Sequence, residues 1–242
     1  MVIAEASAED TLVGFANFKY DRLPAERRSQ KLSLVDLNRE GKYELSSIVD
    51  LNLHIVPVRL AARLFDPDAY VISSAMLKTH NRVVATMSVK NMAMGAPLHS
   101  APGEAHWNDK WKVHPNVREG NCNMLLNAQK LRPNWGAALI DGFEGMEGNG
   151  PSHGTPVPSH VAIASTDYVA ADRVGLEVMG INPDWVGYLT FASQLGLGQY
   201  DLTKIDLLGG TTIASVQKKY KLHDAIERQL QWMGPLTATP AI

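Results

Sequence analysis

The chain has one cysteine, Cys122, in 242 residues. A lone thiol excludes an intramolecular disulfide, a four-cysteine zinc site and an iron–sulfur cluster held by this chain alone. It also lacks an excess of either charge, since 23 Lys+Arg face 25 Asp+Glu for a formal net charge of −2. That balance argues against sequence-blind binding of nucleic acid, which needs a basic surplus. No apolar run reaches the ~18–20 residues of a membrane span. The first residues, Met1-Val2-Ile3-Ala4-Glu5, carry neither the basic nor the long apolar region of a signal peptide. They read as the second half of a buried strand. The expectation is an N-terminally truncated version of a larger domain, acting in the cytoplasm without membrane or nucleic-acid partners.

With 45% hydrophobic residues the chain has ample material for a core. Short β-branched runs alternate with helical patterns, which predicts an α/β fold: a mostly parallel sheet covered by helices. Strands are expected at Val2–Ala4, Leu32–Asp36, Leu45–Val49, His54–Val58, Tyr70–Ser74, Ala137–Ile140, Val161–Ser165 and Ile205–Leu208. Helices are expected at Pro24–Gln30, Arg59–Leu64, Glu119–Leu131, Tyr168–Met179, Trp185–Gln194, Thr212–Tyr220 and Asp224–Trp232. The best-marked helix follows Thr166-Asp167, which offers N-cap chemistry, and ends at Gly180, a residue suited to a left-handed terminus. No repeat or long linker divides the chain. It reads as one domain over residues 1–233 with an irregular insertion at 96–117 and a loose tail at 234–242. An aperiodic loop of that length inside a domain is either a functional element or a cover over apolar surface.

Two clusters carry candidate chemistry. The first is Lys78-Thr79-His80, followed by Thr86-Met-Ser-Val-Lys90-Asn91 and Gly95. It falls at the carboxyl end of an apolar strand, where open α/β sheets place ligands. If residues 86–94 are helical, Thr86 and Lys90 share a face. Lys78 and Lys90 then supply charge for an anionic ligand, Thr79, Thr86 and Asn91 orient it, and His80 moves protons or holds a metal. The second cluster is Asp141-Gly-Phe-Glu-Gly-Met-Glu147-Gly148-Asn149-Gly150-Pro151. Its glycines permit a turn that presents amides to an oxyanion, or its carboxylates hold a divalent cation. A plain flexible connection is the competing reading. Six histidines lie between His80 and His160 without a metal-ligand spacing, so hydrogen-bonded filler competes with ligation by His80 and His106. Cys122 and Asp172 read as structural.

These residues resemble a known family. Val71-Ile-Ser-Ser-Ala-Met-Leu-Lys78-Thr79-His80 with Thr86-x-x-x-Lys90-Asn91 and Gly95 is similar to the "I-x-x-P-x-x-K-T-H … T-x-x-x-K-N-x-x-G" core of the domain of unknown function 362. Asp141-Gly to Gly150-Pro151, Ala164 to Asp172 with Met179-Gly180, and Leu195-Gly-Leu-Gly198 with Leu208-Gly209 match its later motifs in order. Ala75 replaces the family's proline, and its opening K-x-N strand is missing. Cysteine-rich ferredoxin-like modules occur in some members but not here, which implies at most a ferredoxin-like partner. A more distant likeness is to the nickel-pincer lactate racemases, in which a lysine anchors the cofactor and histidines meet the metal. His80, Lys90 and His106 follow in similar order. Together these readings predict an enzyme-like protein binding a small anionic or carboxylate-bearing ligand, with a divalent metal as an option. The alternatives are an iron–sulfur-associated redox accessory protein acting through docking, as the family's appended modules imply, and an inactive truncated homologue.

Overall fold

The computed structural model describes residues 1–234; the tail expected at 234–242 lies, beyond its first residue, outside them. The chain opens with β1 (Val2–Glu5), α1 (Thr11–Asn17), α2 (Leu23–Glu26) and β2 (Ser33–Asp36). A hairpin of β3 (Tyr43–Val49) and β4 (Ile55–Ala61) leads to β5 (Val71–His80), β6 (Val84–Thr86) and α3 (Ser88–Gly95). Then come α4 (Asp109–Val113), α5 (Val117–Leu131), β7 (Trp135–Glu147), β8 (Thr155–Val157) and β9 (Val161–Ser165). Helices α6 (Tyr168–Val178), α7 (Gly187–Gln194), α8 (Ile213–Val216) and α9 (Ile226–Gln229) follow. No described helix is long and apolar enough to cross a membrane.

The fold is α/β, as the alternating pattern predicts, and its central sheet is mixed. β5 and β7 run parallel, while β6 on one side and β8 and β9 on the other pair antiparallel. β1 and β2 form a separate parallel pair, and β3 and β4 an antiparallel one. Strand alternation decides which face is covered. Ser73, Ala75, Leu77 and Thr79 on β5 and Ala138 and Ile140 on β7 are buried, under α3 and α6. Ile72, Met76, Leu139 and Phe143 stand exposed on the opposite face. Helices therefore cover one face and leave the other open.

Local chemistry explains the best-marked helix. Asp167 accepts from the Ala170 amide at 2.9 Å, and Gly180 takes φ +62° beyond the last turn, the cap geometry such residues favour. Helix α5 begins at Val117, so Cys122 sits part-buried in its second turn. Burial and nearby Glu119 push its thiol up, the opposite of an activated cysteine. Three buried asparagines of α5 stitch its neighbours together: Asn121 accepts from the Tyr188 amide, Asn123 bonds both backbone groups of Val49, and Asn127 donates to the Ala93 carbonyl.

Several expected elements differ. Arg59–Ala61 continues β4 against Tyr43–Leu45, and only a 3-10 turn follows at Ala62–Phe65, because cross-strand pairing overrides local helix propensity. The segment expected as a strand at Ile205–Leu208 pairs with nothing described and leaves Leu207 and Leu208 exposed. The helix expected at Thr212–Tyr220 shrinks to one turn, whereas the one expected at Asp224–Trp232 forms as α9 continued by a 3-10 turn at Leu230–Met233. β1 is mostly exposed and pairs β2 in its own ribbon rather than entering the central sheet.

Candidate functional site

Alternation along β5 sends Lys78 to the open face with Met76, and pairing with β6 sets Thr86 opposite Lys78. Thr86 therefore comes from a strand and not, as expected, from the helix of Lys90. That helix, α3, is fixed from two sides. Asp172, fully buried on α6, accepts from the Ser88 and Val89 amides at 2.7 and 3.0 Å, filling the N-terminal donors of α3. Burial pushes its carboxyl up to about 7, against the two amides that lower it. On the other side the Asn91 amide donates to Ser73 Oγ and the Ser74 carbonyl, and Ser73 Oγ donates to the Ser88 carbonyl. Lys90 is thus held over the end of β5 by a helix with little freedom to shift.

The resulting cleft has a volume of about 530 Å³ and is lined by Lys78, His80, Arg82, Thr86, Lys90, Asn91, Lys110 and His114, with Glu5 the only carboxylate among the described residues. This size suits a small ligand. Lys110 donates to the Met94 and Gly95 carbonyls at 3.0 and 3.3 Å, tying the insertion to the far end of α3. His80 Nδ1 accepts from the Arg82 amide at 3.1 Å, so Nε2 carries the proton of its neutral ring. Its ring lies nearly parallel to that of His114, with centroids 5.9 Å apart. Arg82 donates to the His114 carbonyl at 2.8 Å, and His114 Nε2 is buried without a partner among the described residues. At the start of β6, opposite His80, Val84 adopts φ +70°, a costly conformation for a β-branched residue. Its amide is held there by Gln229 at 2.8 Å.

Electrostatics follow from this crowding. Lys90 is 8% exposed, and none of the described residues accepts a hydrogen bond from its amine. Burial, then the charges of Lys78 and Lys110, push it down to about 7. Burial also lowers Lys110 to about 8, with Glu5 opposing, and lowers Lys78. Lost hydration and the surrounding cations hold His80 well below its ordinary value and His114 at about 3. Glu5 is raised by lost hydration, against the attraction of Lys110. Near neutral pH the cleft has charged lysine and arginine groups around a lysine amine and two imidazoles that are readily neutral.

Of the residues singled out in the sequence, Lys78, His80, Thr86, Lys90 and Asn91 meet in this cleft. Thr79 does not. One step along a strand reverses the side chain, and Thr79 Oγ1 donates instead to the Gly148 carbonyl at 2.9 Å on the buried side. Asp141 lies in mid-strand, exposed, and accepts from the Phe143 amide. β7 runs on past it to pair with β8, and Gly145 lets Tyr220 and the Leu77 carbonyl approach where a Cβ would clash. Glu147, Gly148 and Asn149 bind the C-terminal segment. Glu147 accepts from the Lys221 amide, Gly148 donates to the Lys221 carbonyl, and Asn149 pairs with Asp224. Gly150 abuts the Thr79 carbonyl, where an added Cβ would lie 2.2 Å away. Asn149 and Gly150 border a second, shallower cleft that shares Asn81 and Pro151 with the first.

His106 is exposed and does not join His80; His114 occupies that place. His99 is taken up by the Ser7 carbonyl and Asn38. Among the described residues no three His, Cys, Asp or Glu side chains gather as a metal site. Four cationic side chains and two imidazoles, one with Nδ1 already bonded, do not fit a divalent cation, and no chemistry is routed through one. Arg82, Lys110, His114 and Glu5 were not singled out. Lys110 and His114 carried a usable signal, being four apart within the flagged insertion.

The family profile described as a domain of unknown function (DUF362) matches residues 1–177, which hold every residue lining the cleft. The chain belongs to the DUF362 family. A thylakoid-associated protein of Synechocystis sp. is 30% identical to this DUF362 chain over 162 residues, 66% of the chain and 46% of that protein. The chain thus spans about half the length of the curated relative it matches. No solved structure matches.

Proposed function

We propose that this DUF362 protein is enzyme-like and binds a small carboxylate- or phosphate-bearing anion in the cleft at the end of β5. The observation that carries this reading is the convergence of Lys78, Arg82, Lys90 and Lys110 on one cavity with a single carboxylate. Assembling so many cations costs free energy unless an anion joins them. Lys78, Arg82 and Lys110 supply further positive charge, the share of Lys110 fading as pH passes about 8. The Thr86 hydroxyl orients the ligand, whereas the Asn91 amide nitrogen is committed to β5 and Asn91 acts by holding α3 in place. His80 lines the same cavity, and the Nε2–H of its neutral ring is available as a hydrogen-bond donor.

Calorimetric titration with oxalate at low ionic strength tests the reading. Binding is expected to weaken at least tenfold in Lys78→Ala and to fall with added salt. It is also expected to fall as pH rises from 6 to 9, because Lys90, ordinarily charged but lowered here to about 7, loses the proton that attracts the ligand. Affinity unchanged by Lys78→Ala, by salt and by pH contradicts the reading.

A further inference from the structure

We propose that Lys90 is a nucleophile that forms a reversible imine with a 2-oxo acid bound in this cleft. The inference rests on the anion-site reading above and names the class of anion. A site built only to hold negative charge needs donors that already point at the ligand. Here Lys110 spends its ammonium on the Met94 and Gly95 carbonyls, and Arg82 donates to the His114 carbonyl. Lys90 alone is deeply buried, rigidly carried and without an acceptor among the described residues.

A lysine desolvated beside other cations is the arrangement that leaves a free amine able to attack a carbonyl. Burial and the neighbouring Lys78 and Lys110 favour the free amine, His80 and His114 add no charge while neutral, and Glu5 offsets Lys110. Lys78, which lines the cleft and has no acceptor among the described residues, holds the carboxylate and leaves the adjacent keto carbon for Lys90 Nζ. A C–N bond forms, the carbonyl C–O bond breaks, and the oxygen leaves as water with the two hydrogens of the neutral amine. No oxidant or reductant is needed.

The experiment treats the protein with pyruvate and sodium cyanoborohydride at pH 7.5, which reduces any imine to a stable carboxyethyl amine, followed by peptide mass mapping. Lys90 is expected to carry the adduct at least tenfold above any other lysine. Oxalate should suppress it, acetone, which lacks the carboxylate, should label at least tenfold less, and Lys90→Met should show no adduct in the corresponding peptide. No preferential adduct at Lys90 in protein that still binds oxalate calorimetrically overturns the imine alone. Absence of both adduct and oxalate binding overturns the anion site with it.

Discussion

Lys90→Met is expected to stabilise the protein by about 2–4 kcal/mol at pH 6 while abolishing oxalate binding. Burial and like charge lower the Lys90 amine from 10.5 to about 7. At 1.36 kcal/mol per unit that is roughly 5 kcal/mol of unfavourable ammonium burial, part of which local relaxation absorbs. The sign follows from proton counting. Below pH 7 folded and unfolded chains are both protonated at this site, and the folded state bears the full penalty. As pH climbs from 7 to 10.5 the unfolded chain holds the extra proton, so wild-type stability recovers. Methionine has similar length and no charge, and it keeps the contacts of the lysine stem. Urea unfolding at pH 6 and pH 10 should therefore show a large gap between variant and wild type that closes at the higher pH. A variant less stable than wild type at pH 6 would mean that the ammonium is satisfied in the fold, contrary to this account.

Asp172→Ala is expected to cost about 2–4 kcal/mol and to weaken oxalate binding more than tenfold, although Asp172 lines no part of the cleft. Its carboxyl accepts from Ser88 and Val89 at the start of α3. Alanine leaves two buried amides unpaired, each worth about 1–3 kcal/mol, and frees the helix that carries Lys90. The pH dependence runs opposite to that of Lys90. The folded value is raised from 3.8 to about 7, so the contribution is full below pH 4 and declines as pH rises through 7. The cost of the substitution should thus be larger at pH 5 than at pH 8. Chemical unfolding at both pH values checks this; a cost that grows with pH would show a carboxylate stabilised in its charged form.

Part of this architecture can be read from the chain alone. Asp167 and Gly180 bracket α6 because capping is a local interaction, decided by residues a few positions apart. Lys78 and His80 are legible as a strand-end pair because even spacing on β5 sends them to one side. The same rule sends Thr79 to the other side, so its assignment to the ligand was avoidable. Asp141 is harder to place: β7 continues past it into pairing with β8, and at Gly145 it meets Tyr220 and Leu77, all distant in sequence. The mixed sheet has the same origin, since β6, β8 and β9 acquire direction from their partners and not from composition. Lys110 and His114 sit in an aperiodic insertion, and their role depends on where that insertion folds back against α3.

The most direct test of the account is a pH titration of lysine Nζ by nitrogen-15 NMR, with and without oxalate. The prediction is one lysine, assigned by its loss in Lys90→Met, titrating near 7 and moving upward when oxalate binds, since an adjacent anion favours the ammonium. If every lysine instead titrates near its ordinary value and none responds to oxalate, the cleft is not the anion site described.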